Sequence, residues 1–193
     1  MTQRAFKIAV TGTHSTGKTA FLNLLSDRFS ERRLSLQRIG SLAVAARDAG
    51  FPILRDHTID STLWIMAECI RQEAACTLTS RVILIDRPVS DALGYLEAAL
   101  EVTGREVHPQ RLETLKALAG AYMCEYDVFI ETVLDPAIPL GPYRDKDGDL
   151  RASAARHITD FADKHRTDRL RLTSDNQVTL INKVLHRFDE TQS

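Results

Sequence analysis

The sequence predicts an α/β fold, a five-stranded parallel sheet with helices on both faces and a short charged lid late in the chain. Three observations carry that expectation. Five short β-type runs recur between helical stretches, the alternation that a parallel sheet with crossover helices requires. The first run leads through GTHSTGKTA directly into a helical pattern, and that stretch is too glycine-bearing and polar to continue either element. At 193 residues and 44% hydrophobic composition the chain can bury one sizeable core but not two, so one domain spanning 1–193 is expected.

The β-type runs are FKIAV (Phe6 to Val10), LSLQRI (Leu34 to Ile39), RVILID (Arg81 to Asp86), DVFIETV (Asp127 to Val133) and DRLRLT (Asp168 to Thr173). The helix after the first run places Phe21, Leu24, Leu25 and Phe29 on one face. After the second run, the turn-rich GFPILRDH (Gly50 to His57) introduces a long helix from about Thr58 to Thr77; Asp56 and His57 read as ordinary loop residues. The next helix, Asp91 to Val102, aligns Leu93, Leu96 and Leu100 and stops before Gly104. Pro109 then opens a helix lined by Leu112, Leu115, Leu118 and Tyr122. Asp135 to Asp149, DPAIPLGPYRDKDGD, holds too many prolines, glycines and aspartates for an element interior, and a charged helix follows; the two make a lid region of about 135–166. The last helix begins after Ser174, Asp175 or Asn176 and buries Val178, Ile181, Val184 or Leu185, and Phe188, with Glu190 to Ser193 expected to fray.

Charge and cysteine content exclude several classes. A formal charge of −1 provides no overall basic field for nucleic acid, although arginine outnumbers lysine and suits bidentate phosphate contacts. No run reaches membrane-span length, and MTQRAFKIAV enters a strand without a signal-peptide core, so a cytoplasmic protein with no membrane partner is expected. Cys69, Cys76 and Cys124 are odd in number and form no close C-x-x-C pair, so buried reduced thiols are expected rather than disulfides or zinc.

The chemistry is concentrated in GTHSTGKTA. Gly12, four residues, then Gly17-Lys18-Thr19 is the P-loop spacing, and its strand-before, helix-after setting implies a P-loop NTPase fold. Glycines let consecutive backbone N–H groups turn inward on a polyphosphate while the helix offers its positive end. Gly12, Thr13, His14, Ser15, Thr16, Gly17, Lys18, Thr19 and Ala20 are the expected ATP-binding stretch, with Lys18 reaching the β- and γ-phosphates, Thr19 on Mg2+ and His14 a spacer. At the end of the third β-run stands Asp86-Arg87. Asp86 can hold the Mg2+ shell or take a proton from an attacking hydroxyl, and Arg87 can clamp a phosphate or acceptor group. A GTPase switch would need Asn-Lys-x-Asp; Asn182-Lys183-Val184-Leu185 lacks the aspartate and falls in a helical pattern. Asp91-Ala92-Leu93-Gly94 imitates a switch motif but also lies within a helix. A motor ATPase would need signature or sensor segments for which the length leaves little room.

With GTHSTGKTA, IDRPVSDALGYL and DKDGDLRASAARHITDF together, the chain resembles the P-loop kinases related to thymidylate and deoxynucleoside kinases. It is most similar to the branch holding the ribosylnicotinamide kinase domain of the bifunctional NAD-biosynthesis regulator and its phage and bacterial relatives. The resemblance covers nearly the whole chain, and its specific parts are the P-loop and Asp-Arg. It implies that Asp91 and Tyr95 match the segment after Asp-Arg, with Asp91 among the acceptor contacts, and that Arg151 and Arg156 are catalytic arginines supplied by the lid, where Arg144 is a further match. Arg47 would fill an acceptor-side arginine position, but Gly40 or Ser41 stands where a carboxylate is expected at the end of the second strand, which shifts the base role onto Asp86. In such kinases the long helix lines the acceptor pocket. Trp64, Glu68, Arg71 and Gln72 recur at helical spacing for that role, or are a packing tryptophan beside a solvated charged stripe. The expected activity is transfer of the γ-phosphoryl of ATP, with Mg2+, to a hydroxyl of a nucleoside-like small molecule, by a monomer or homodimer. The alternatives are a kinase of hydroxymethylated bases in DNA and a nucleotide-dependent binding switch with slow ATP hydrolysis.

Overall fold

Strands β1 (Phe6–Thr11), β2 (Leu36–Ile39), β3 (Val82–Asp86), β4 (Val128–Thr132) and β5 (Leu170–Leu172) form one parallel sheet in the order β2-β3-β1-β4-β5. The computed structural model describes residues 4–13, 16–133 and 147–191. Every side chain of β1 is buried, as a central strand covered on both faces demands. The edge strands β2 and β5 have one neighbour each and are shorter than the runs LSLQRI and DRLRLT. In β2, Gln37 and Arg38 are exposed. The register sets Val10 opposite Asp86 and Thr11 opposite Glu131, so the carboxyl ends of β3, β1 and β4 meet at one rim of the sheet.

The helices are α1 (Lys18–Glu31), α2 (Leu42–Asp48), α3 (Ile59–Cys76), α4 (Val89–Thr103), α5 (Pro109–Tyr122), α6 (Gly148–His165) and α7 (Gln177–Glu190). Their ends follow local chemistry. Thr58 and Ser61 form a reciprocal capping box at the start of α3, Gly104 closes α4 in the left-handed conformation, and Pro109 occupies the first turn of α5. One face of the sheet is covered by α1 and α7 through Phe21, Leu25, Phe29, Ile181 and Phe188. On the other face α3, α4 and α5 pack Met66, Leu93, Leu96 and Leu115 against Ile83, Ile85 and Phe129.

Several expectations are corrected here. The buried stripe of α1 is Phe21, Leu22, Leu25 and Phe29, which rotates Leu24 to the outside; in α7 Leu180, Ile181, Val184 and Phe188 are buried and Val178 is outside. Leu118 likewise sits at the exposed margin of α5. Only Cys69 is a buried thiol: Cys76 is half-buried and Cys124, in a 3-10 turn after α5, is exposed; all three are free. The short alanine-rich α2 carries too little apolar periodicity to stand out in the sequence. The described part of the segment expected as a lid is α6, an amphipathic helix whose Leu150, Ala154 and Ile158 pack on the α4 side. Residues 134–146, Arg144 among them, lie outside the described residues, as do His14 and Ser15. Among the described residues no helix is long and apolar enough to cross a membrane.

Candidate active site

The site is built where β1 runs into α1. Gly12 has φ +126° and Gly17 φ +82°, conformations that L side chains rarely adopt. A Cβ on Gly12 would also collide with the Thr132 hydroxyl at the end of β4. Hydroxyls strap the loop down: Thr132 donates to the Thr11 carbonyl at 2.9 Å, and the single Thr16 proton can go to the Thr132 hydroxyl at 2.6 Å or to the Thr13 carbonyl at 3.1 Å. Lys18 is buried, and its ammonium donates to the carbonyl of Gly12 at 2.8 Å, to that of Thr13, and to Thr16 Oγ1 at 3.1 Å. Thr19 and Ala20 face outward on the first turn of α1.

From the other side, the first turn of α4 inserts Asp91 beneath the loop. Its carboxylate accepts from the Gly12 N–H at 3.2 Å and from the Thr11 hydroxyl. Burial pushes the Asp91 carboxyl up to about 6, against the opposing pull of the Arg87 charge. Arg87 itself has φ +73° and donates its backbone N–H to the Val10 carbonyl, 3.1 Å away. Its guanidinium donates to the Tyr95 hydroxyl at 3.0 Å and stands 3.9 Å from Asp91 Oδ2. Asp86, at the end of β3, is paired with Arg38 of β2 at 2.8 Å, and Arg38 donates its other terminal nitrogen to Asn23 of α1 at 2.9 Å.

A cavity of about 300 Å³ opens beside the loop, lined by Gly12, Thr13, Thr132, Arg156, Thr159 and Arg171. Glu131 forms its buried floor, paired with Arg169 at 2.7 Å and accepting from Thr159 at 2.5 Å. Arg156 thus reaches the cavity wall, but its guanidinium is held by Glu101 of α4. Hydrogen bonds from Ser153, His157 and Arg156 hold the Glu101 carboxyl down at about 2. Arg151 lies one turn earlier on α6, its backbone N–H bonded to the Asp147 carbonyl.

The structure therefore brings Lys18, Arg87, Asp91 and the described loop residues together, with Asp86 at the adjoining strand end. Trp64, Glu68, Arg71 and Gln72 share a face of α3, as their spacing implies, but engage one another and their own neighbours. Trp64 stacks near Phe51 with ring centroids 5.6 Å apart. Glu68 accepts from Arg71 and Gln72, each at 2.7 Å, which lowers its carboxyl to about 2. None of the four lines the cavity. Arg47 is exposed and pairs with its neighbour Asp48 at 2.9 Å. Sequence reasoning missed Thr132, Glu131 and Arg38. Glu131 alone left a signal, a carboxylate inside the apolar run DVFIETV.

The loop fits a bound polyphosphate. The Thr13 hydroxyl is buried with no hydrogen-bond partner among the described residues, and a lysine is folded onto loop carbonyls. No group of three or more His, Cys, Asp or Glu that could hold a metal occurs among the described residues. A magnesium shell made of one hydroxyl, one carboxylate, water and phosphate oxygens needs none, and Thr19 and Asp86 supply the matching donor types.

A family model described as an AAA domain matches residues 7–177. No curated protein matches the sequence. Among solved structures, deoxyadenosine kinase from M. mycoides with products dCMP and a flexible dCDP bound has a TM-score of 0.66 at 12% identity, covering 94% of this chain and 99% of that one. The same enzyme with bound dATP gives 0.63 at 13% identity, over 94% of this chain and 100% of that one. NadR protein in complex with NR gives 0.68 at 12% identity, over 95% of this chain but 51% of that one. At these identities the likeness establishes a shared fold.

Proposed function

We propose that this chain, which belongs to the AAA domain family, transfers the γ-phosphoryl of ATP to a hydroxyl of a nucleoside-like acceptor. The observation that carries the reading is the junction of loop and strand: Arg87 is tied through its backbone to Val10 of β1, two residues before Gly12 opens the loop onto which Lys18 folds. An anion-binding loop alone suits any nucleotide binder. An Asp-Arg pair fixed at its rim adds groups that phosphoryl transfer uses.

In this reading the loop amides and Lys18 hold the triphosphate, while Thr19 and Asp86 hold the magnesium shell. Bound Mg2+ supplies charge neutralisation across the phosphates. Arg87, kept in place by Tyr95 and Asp91, neutralises charge on the group in flight, and Arg151 and Arg156 are the lid arginines available to join it once Arg156 leaves Glu101. Asp91 serves as the prop beneath the loop. The fold shared with nucleoside-binding kinases supports a nucleoside-like acceptor.

Replacing Lys18 tests the reading. Lys18→Ala should lower transfer of labelled phosphoryl from ATP to a nucleoside and ribosylnicotinamide panel by roughly 10²-fold or more, with the far-ultraviolet circular dichroism unchanged. A folded Lys18→Ala protein that transfers at the wild-type rate, or a wild type that labels no acceptor while hydrolysing ATP, would overturn it.

A further inference from the structure

An arginine on an exposed edge strand is ordinarily solvated, and isolated surface ion pairs contribute little to stability. Arg38 is placed differently. Its two terminal nitrogens are divided between Asp86 Oδ2 at 2.8 Å and Asn23 Oδ1 at 2.9 Å, so one guanidinium joins β2, the end of β3 and α1. Asn23 is one helical turn beyond Thr19, which places Thr19 and Asn23 on the same face of α1. The Arg38 charge therefore stands between the strand-end carboxylate and the face of α1 that carries the loop hydroxyl.

The backbone allows this arrangement at one point. A Cβ on Gly40 would come within 3.1 Å of Asp86 Cβ, tighter than side chains normally tolerate, so a larger residue there would push Asp86 away.

We propose that Arg38, as a resident cation beside Asp86, weakens the grip on Mg2+ at the P-loop. The inference rests on the reading of Asp86 as part of the magnesium shell. A unit positive charge roughly 6 Å from a dication opposes its binding by about tenfold even at the dielectric of water. Removing that charge while leaving Asp86 in place should tighten the metal. Arg38→Lys, which keeps the charge, should not.

The measurement is the factor by which saturating Mg2+, compared with EDTA, tightens ADP binding in calorimetric titrations of the full chain; by linkage this factor reports metal affinity in the nucleotide complex. Arg38→Met should raise the factor about tenfold, Arg38→Lys should keep it within about twofold of wild type, and Arg38→Met/Asp86→Asn should fall below Arg38→Met because it also loses the carboxylate. An unchanged factor in Arg38→Met, with Asp86→Asn lowering it, overturns the role of Arg38 and leaves Asp86 in the shell. Asp86→Asn that leaves the factor unchanged removes Asp86 from the shell and overturns both. Melting temperatures separate the proposal from a purely structural role: a variant that loses stability without moving the factor counts against it.

Discussion

His57 illustrates how much a single residue can be set by its surroundings. Its imidazole is only 3% exposed and Nε2 has no partner among the described residues. Burial, aided by the nearby Arg105 charge, lowers its pKa from 6.5 to about 4. The folded protein thus keeps His57 neutral at a pH where the unfolded chain protonates it. Between about pH 6.5 and 4 the unfolded state binds more protons, so this residue's contribution to stability falls as pH falls. Asp91, raised to about 6, acts in the opposite direction over part of the same window, because the folded state then holds the extra proton. A comparison with His57→Gln removes the Asp91 contribution from the difference. Wild type should lose about 2 kcal/mol more than His57→Gln between pH 7 and pH 5 in urea unfolding. Parallel stability curves for the two proteins would show that the imidazole is not held neutral.

At the scale of elements, the contact between α4 and α6 decides where Arg151 and Arg156 stand. Gly94 faces Ile158 so closely that a Cβ would lie 2.5 Å from Ile158 Cγ1 and 3.3 Å from its backbone nitrogen. The small residues Ala98, Ala99 and Ala154 continue the same close approach around Leu150. In an isolated helix Gly→Ala is favourable by about 1 kcal/mol. Here Gly94→Ala should instead destabilise the protein by about 1–3 kcal/mol, because the helices must separate. If the proposed kinase reading holds, the change should also lower phosphoryl transfer more than ADP affinity, since α6 carries Arg151 and Arg156. Gly94→Ala/Ile158→Ala should recover part of the stability in chemical denaturation. A single variant as stable as wild type would mean that the helices adjust without cost.

Across the whole molecule, the two ends of the sheet do different work. The rim at the carboxyl ends of the strands holds the loop, Asp86 and Arg87. Toward the opposite end lies a buried polar cluster: Lys7 of β1 pairs with Glu73 of α3 at 3.1 Å, both almost fully buried, and Tyr126 donates to Glu73 at 3.1 Å. Tyr122 adds a hydroxyl 3.4 Å from the Lys7 ammonium. A buried pair of this kind adds little net stability, but removing one partner strands the other charge in the core. Lys7→Met or Glu73→Leu alone should cost about 3–5 kcal/mol in urea unfolding, and the double variant should cost markedly less. The double variant should bind ADP like wild type, because its changes lie away from the loop. Loss of ADP affinity would show that the two ends are coupled.

Much of this was legible in the chain because its signals are local. The succession of strands and longer helices, the glycine-bearing turn between β1 and α1, the start of α3 near Thr58 and the stop at Gly104 depend on residues within a few positions of one another, where backbone conformation and apolar periodicity act directly. Asp86-Arg87 was readable for the same reason, as a charged pair ending an apolar run. What stayed hidden depends on separations along the chain that periodicity cannot report. Asp91 was read as a contact for the acceptor and is found beneath the loop 79 positions away, bonded to Gly12. Arg156 was read as a lid arginine and is held by Glu101 on another helix. Trp64 and Glu68 share their face as expected, yet the direction of that face is set by how α3 packs on its neighbours. The sequence by itself determined the strands of the sheet and the strand–loop–helix junction between β1 and α1. Only the tertiary structure decided which charges meet, because partners such as Arg38 and Asp86 are joined through strand pairing and layer packing, interactions that leave no pattern in either local segment.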